Sequence, residues 1–360
     1  MDTTALAPVL QHTGPFASVL VDVSQDTGGG RHQHDLHVRE ACEELASQGA
    51  PAEVVEALTE RLGEVTHRPA PSARFVVATP EGVALDEVVP VRVDRARASW
   101  ASLPDLATYA ALRDSATRFV LVVVDHEGGE VSLHDSDLPW PEEERTVESP
   151  DADTAHVRKV TQGDWAHPQF QRTAENTWRR NADAVVDEVS RLVDEGAELV
   201  LLTGDPTSVG MVRRGLEHSS AEVVELPTGQ RTEDGGDEAL WDAVRQALHV
   251  QVVARRLALS ERLEEAIGRG DAAAVGASAV ADAFVTGRVE TLALDPALAA
   301  TEEVDLDQHP GLALGPATSG TVPADRALVA AAVATDADVV PLPAVALGGH
   351  PVAALLRWTD

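Results

Sequence analysis

Lysine is nearly absent from this chain. Lys159 is the single one, so arginine supplies almost all of the 28 Lys and Arg residues. Cys42 is likewise alone among 360 residues, which excludes an intrachain disulfide and any multi-cysteine metal site. Aromatic residues make up 3% of the chain, so its cores must be built largely from Val, Leu and Ala. No stretch approaches the roughly 20 apolar residues that span a bilayer. The opening MDTTALAPVLQHTGPF lacks a basic segment followed by an apolar one, so a cytoplasmic protein without a membrane partner is expected. Walker, H-E-x-x-H, G-x-S-x-G and C-x-x-C motifs are all missing, and the one lysine lies outside any glycine-rich loop. No cofactor or metal is expected.

What is present describes a folded, acidic protein. Hydrophobic residues account for 44% and charged residues for 24%, a globular composition at a length that suits two or three domains. The formal charge of −32 repels nucleic acid over most of the surface. Any RNA contact therefore requires a local exception.

Strand and helix signals alternate. Phe16 to Val23 is a β-branched run, followed by helical patterns from Leu36 to Ser47 and from Pro51 onward. Segments 75–78 and 83–85 read as a hairpin. A second hairpin joins Phe119–Val124 to Glu130–His134 through Asp125-His126-Glu127-Gly128-Gly129, and the acid-rich 135–153 reads as a solvated loop. Apolar residues Ala174, Trp178, Ala182, Val185, Val189 and Leu192 recur at helical spacing, with Trp178 expected on the core side. Strands at 199–203 and 223–226 and a long helix at about 237–267 complete this part. The last stretch reads as a helix at 272–285, a strand at 289–294, a helix at 325–334 and closing strands at 339–340 and 353–358. The alternation implies an α/β fold with mixed sheets.

Three weak motifs have plain structural readings. His32, His34 and His37, with Asp35, have spacing that could hold a metal but also suit a polar first helical turn. Thr203-Gly204-Asp205-Pro206 lies between strand and helix, where helix amides can bind anions, yet a carboxylate there suits an ordinary turn. Gly348-Gly349-His350-Pro351 reads as a turn into the last strand.

The exception to the acidic surface is local. From His156 to Arg180 the chain carries Arg158, Lys159, Arg172, Arg179 and Arg180 against Asp164 and Glu175, whereas 58 acids face 23 Lys and Arg elsewhere. Within it, Gly163, Trp165, His167, Gln169 and Gln171 combine glycine, aromatic, imidazole and amide groups able to stack on bases and hydrogen-bond to nucleotides.

A hairpin, an acidic loop, a basic glycine-containing loop and a long helix, in that order, resemble the middle domain of archaeal and eukaryotic release factors and Pelota. Gly287-Arg288-Val289-Glu290-Thr291-Leu292-Ala293-Leu294 and the ending Gly348 to Trp358 are similar to the strand and terminal hairpin of the family's L7Ae-like third domain. The likeness is nearest to the family's bacterial branch, which includes Balon-type ribosome-hibernation factors. It implies a three-domain release-factor-like architecture: an N-terminal α/β domain at 1–117, an RNase-H-like middle domain at 118–270 and an L7Ae-like domain at 271–360. It also implies binding at the decoding site of idle or stalled ribosomes, near the peptidyl-transferase rRNA, with a translational GTPase as possible partner. In that setting Trp165, His167 and Gln169 would meet bases, and Arg158, Lys159, Arg172, Arg179 and Arg180 phosphates.

The departures bear on chemistry. Gly163-Asp164-Trp165 stands where the family's Gly-Gly-Gln would be, and Thr228-Gly229-Gln230 lies after a later strand. The stop-codon-reading Asn-Ile-Lys-Ser motif is missing from the first 117 residues. The expectation is binding without peptidyl-tRNA hydrolysis. The alternative is an RNA-ester or peptidyl-tRNA hydrolase using His167 or Gln169.

Overall fold

In the computed structural model, residues 3–24, 30–64, 66, 68, 70–138, 141–148, 167–227, 236–315 and 318–358 are described, with the side chains of 4, 148, 167–176 and 236–237 excepted. The chain divides into two compact units. One comprises Met1–Ser115 with Ala254–Asp360, and the other Ala116–Val253.

The N-terminal part of the first unit carries β1 (Phe16–Asp22), α1 (Gly30–Ser47), α2 (Ala52–Gly63), β2 (Ala73–Thr79), β3 (Gly82–Val89), β4 (Arg97–Ala101) and α3 (Leu106–Arg113). Its strands form an antiparallel sheet in the order β3-β2-β1-β4. Strand side chains alternate between faces. Ala17, Val19 and Val21 pack with Val38, Leu45, Leu58 and Leu62 of the first two helices, while Phe16 and Leu20 enter a separate core. β4 and α3 are elements that the periodicity did not reveal.

The second unit contains β5 (Arg118–Val124), β6 (Gly128–Asp135), β7 (Glu143–Glu148), α4 (His167–Asp194), β8 (Leu199–Gly204), α5 (Pro206–Gly215), β9 (Glu222–Glu225) and the start of α6 (Gly236–Arg269). The sheet order is β7-β6-β5-β8-β9, with β5, β8 and β9 mutually parallel and the β5-β6-β7 ladder antiparallel. Val120, Val122 and Val124 face α4 and α5, and Phe119 and Leu121 face Val244 of α6. The 135–153 expectation needs correction: Glu143–Glu148 is an edge strand paired with β6. Its charged residues suit an edge, where they discourage further strand pairing.

The C-terminal part of the first unit contains the remainder of α6, β10 (Ala273–Val275), α7 (Ala277–Val285), β11 (Val289–Leu294), α8 (Pro296–Ala299), β12 (Glu303–Asp305), β13 (Thr321–Pro323), α9 (Ala324–Ala334), β14 (Asp338–Pro341) and β15 (Val352–Leu356). The expected helix at 272–285 is instead a short strand and a helix, divided at Gly276, whose φ is +85°. Four strands pair in the order β10-β15-β11-β14, and β12 and β13 form a separate ribbon. Ala293, Ala353 and Leu355 pack on Leu259 and Leu263 of α6. Leu292, Leu294 and Ala354 turn the other way, into the core that also holds Phe16, Phe75, Leu106, Leu328 and Val329. Residues from the two ends of the chain thus share one core.

The same unit contains a buried ion pair. Asp114 at the end of α3 is fully buried, and Arg256 Nε donates to its Oδ2 at 2.7 Å while the Arg255 guanidinium donates to its carbonyl. Gly348 and Gly349 occupy positive φ before β15, as the turn reading expected.

Candidate nucleic-acid interface

The carboxyl ends of parallel strands are common positions for sites in α/β sheets. Here β5 and β8 end side by side, Val124 opposite Gly204. A Cβ on Gly204 would lie 1.9 Å from the Val124 carbonyl oxygen, and its φ is +129°, so glycine is needed for this approach.

Each strand leads into a turn stabilised by an aspartate. Asp125 accepts hydrogen bonds from the amides of Glu127 (2.8 Å) and Gly128 (3.0 Å), closing the β5–β6 turn around His126. Asp205 caps α5 by accepting from the amides of Thr207 (2.9 Å) and Ser208 (3.1 Å). Burial raises the Asp205 carboxyl, but the Ser208 and Thr207 hydrogen bonds and the His126 imidazole outweigh it and hold the group below its ordinary value. That carboxylate occupies the helix terminus considered above as an anion site, so the turn reading holds there.

His126 joins three elements. Its ring stacks on Trp178 of α4 with centroids 4.1 Å apart and planes 16° apart. Its Nδ1 lies 3.6 Å from Asp205 Oδ1 and 3.5 Å from Ser208 Oγ. Its carbonyl accepts a 2.9 Å hydrogen bond from Asn181 Nδ2, whose residue is 4% exposed. The His126 side chain itself remains 43% exposed. Trp178 is half-buried against this turn instead of deep in the core. Arg179 and Arg180 follow it, both exposed. Flat rings beside guanidinium groups can stack on bases and meet phosphates.

Of the residues singled out from sequence, Arg179 and Arg180 are therefore placed on the surface of α4. Arg158, Lys159, Gly163 and Trp165 lie outside the described residues. His167, Gln169, Gln171 and Arg172 lie in the first turns of α4, which starts before its apolar periodicity sets in at Ala174, and their side chains are outside the described set. Thr228-Gly229-Gln230 is also outside it. Sequence reading missed His126, although its signal was available: a turn aspartate and two glycines after a β-branched strand. His34 of the N-terminal histidine group is buried in α1, its Nδ1 3.7 Å from Asp35 Oδ1. Among the described residues no cluster of three His, Cys, Asp or Glu could hold a metal, and no helix is long and apolar enough to cross a membrane.

Comparison with known proteins adds a resemblance over part of the chain. Residues 118–269, which contain this whole cluster, match the family described as "Bacterial archaeo-eukaryotic release factor family 2". Two uncharacterized Mycobacterium tuberculosis proteins, from strains CDC 1551 and H37Rv, are each 28% identical over 343 residues, covering 91% of this chain and 89% of theirs. Among solved structures, archaeal Pelota described in a ribosome-bound model with ABCE1 is 15% identical, with a TM-score of 0.42 over 99% of this chain and 95% of that one. Saccharomyces cerevisiae Dom34 is 11% identical, with a TM-score of 0.42 over 100% and 94% of the two chains. Over its segment 118–269, this α/β chain is thus similar to the bacterial branch of the archaeo-eukaryotic release factor family.

Proposed function

We propose that the protein is a cytoplasmic, ribosome-binding translation factor of the Pelota and Balon type. It acts at the decoding site of idle or stalled ribosomes, in hibernation or rescue under stress, with a translational GTPase as partner. The three-domain division at 1–117, 118–270 and 271–360 is part of this reading. The observation that carries it is the release-factor match over 118–269, the segment that contains the basic exception in a chain of charge −32.

In this reading the His126–Trp178 stack supports an RNA-facing surface, with Arg179 and Arg180 beside it. Arg158, Lys159, Gly163, Trp165, His167, Gln169, Gln171 and Arg172 are assigned to rRNA contact on the strength of the basic run in the sequence. Without Gly-Gly-Gln the factor binds and does not hydrolyse peptidyl-tRNA.

Co-sedimentation with ribosomes from starved cells tests this. Wild type should pellet at low salt with magnesium and the candidate GTPase, and the double variant Arg179→Glu/Arg180→Glu should stay in the supernatant. Each lost phosphate contact should reduce the slope of log affinity against log salt by about 0.9 for a duplex-like site. Wild type remaining in the supernatant would overturn the proposal. Release of aminoacyl groups from tRNA, abolished by His167→Ala, would overturn its non-hydrolytic part.

A further inference from the structure

In the first unit, three side chains stand in the order nucleophile, imidazole, carboxylate. Ser278 Oγ lies 3.3 Å from His309 Nε2, and His309 Nδ1 lies 2.9 Å from Asp282 Oδ1. The Asp282 carboxylate can only accept, so Nδ1 carries the imidazole proton and Nε2 is left to accept from the Ser278 hydroxyl. The histidine side chain is 5% exposed and thus held in place, while Ser278 is exposed and within reach of a substrate.

Two surrounding features suit acyl transfer. Gly276, at φ +85°, turns β10 sharply into α7, and its own amide is used by Val352 O at 2.9 Å. Ser278 therefore sits in the first turn of α7, where amides 277–279 have no intrahelical acceptor and can face a developing oxyanion. Asp282 and Ala279 also line an open depression of about 490 Å³ whose other walls include Ile267, Val275, Ala283 and Leu356. Arg288 is the further charged group on its lining. The segment Gly276-Ala277-Ser278-Ala279-Val280 begins like a G-x-S-x-G motif, with Val280 at the second glycine, and so escapes recognition by sequence.

We propose that Ser278, His309 and Asp282 form a catalytic relay for esters of small carboxylic acids, whose acyl group occupies the adjoining depression. Ser278 Oγ bonds to the ester carbonyl carbon as its proton passes to His309 Nε2. The C–O bond to the alcohol breaks, and His309 returns that proton to the departing oxygen. Water then attacks the acyl-serine, giving a proton to His309. The carboxylic acid leaves as the proton returns to Ser278 Oγ. Asp282 holds the imidazole tautomer throughout. A buried histidine would gain from both hydrogen bonds even without chemistry, so reactivity is the deciding observation.

The test uses the full chain with p-nitrophenyl butyrate and a fluorophosphonate probe. Expected is a burst of about one equivalent of nitrophenol, with both acyl and probe adducts mapping to Ser278. Ser278→Ala, an exposed change that leaves packing intact, should abolish both adducts. Asp282→Asn should slow acylation by about 10²- to 10⁴-fold at unchanged circular dichroism. Absence of burst and label in wild type, adducts at another residue, or an unchanged rate in Ser278→Ala would overturn the proposal. Ribosome sedimentation of Ser278→Ala should match wild type, which separates this relay from the translation reading.

Discussion

Asp325 offers a quantitative test of how the first unit is held together. It lies in the first turn of α9, is 6% exposed, and has one carboxyl oxygen buried without a hydrogen-bond partner among the described residues. Burial pushes its pKa up from 3.8 to about 6, with the negative charge of Asp105 adding to the rise and Arg326 opposing it. Native protein then binds this proton more tightly than unfolded chain, so stability falls as pH rises through the window between those values and is level above it. The cost is about 1.6 kcal/mol at pH 5 and about 3 kcal/mol at pH 8. Asp325→Asn keeps the shape and removes the titration. The variant should therefore gain on wild type by about 1.4 kcal/mol between pH 5 and pH 8. Urea titrations followed through Trp100 fluorescence would show this as a relative midpoint shift of about 0.5 M for a slope near 3 kcal/mol/M. A wild-type-minus-variant difference that is the same at both pH values would refute the reasoning.

Three further outcomes probe the frame around the two units. Gly204→Ala, which sets a methyl against the Val124 carbonyl, should destabilise the second unit by about 3 kcal/mol or more, read from its urea midpoint. Asp114→Asn, which weakens the buried pairing with Arg255 and Arg256, should cost about 3 kcal/mol in the first unit, with little change in the second. Leu106→Ala in α3 should cost about 3 kcal/mol and also raise hydrogen exchange in α9, because both helices border the same core.

The long amphipathic helices were legible because their apolar spacing is strong over many residues. The buried strands 119–124 and 199–203 were legible because an unbroken β-branched run has few other uses. β7 was not, since Glu143–Glu148 resembles a loop by composition and becomes a strand through pairing with β6. The split at Gly276 was hidden for a related reason: Ala273–Val275 is too short to declare itself, and its partner Val352–Leu356 lies near the other end of the last unit. The candidate interface was partly legible. The basic run named Arg179 and Arg180, which lie exposed on α4, but His126 reaches Trp178 across more than fifty residues of chain, a distance that no local pattern encodes.

Sequence by itself determined the acidic composition, its basic exception, the missing Gly-Gly-Gln and the longer helices and buried strands, because each is a property of composition or local spacing. Tertiary structure decided which turns meet. It placed His126 between Trp178 and Asp205, set His309 between Ser278 and Asp282, and merged the two ends of the chain into one core. Those juxtapositions depend on side chains far apart in sequence excluding water together, and only the packed fold brings that free energy to bear.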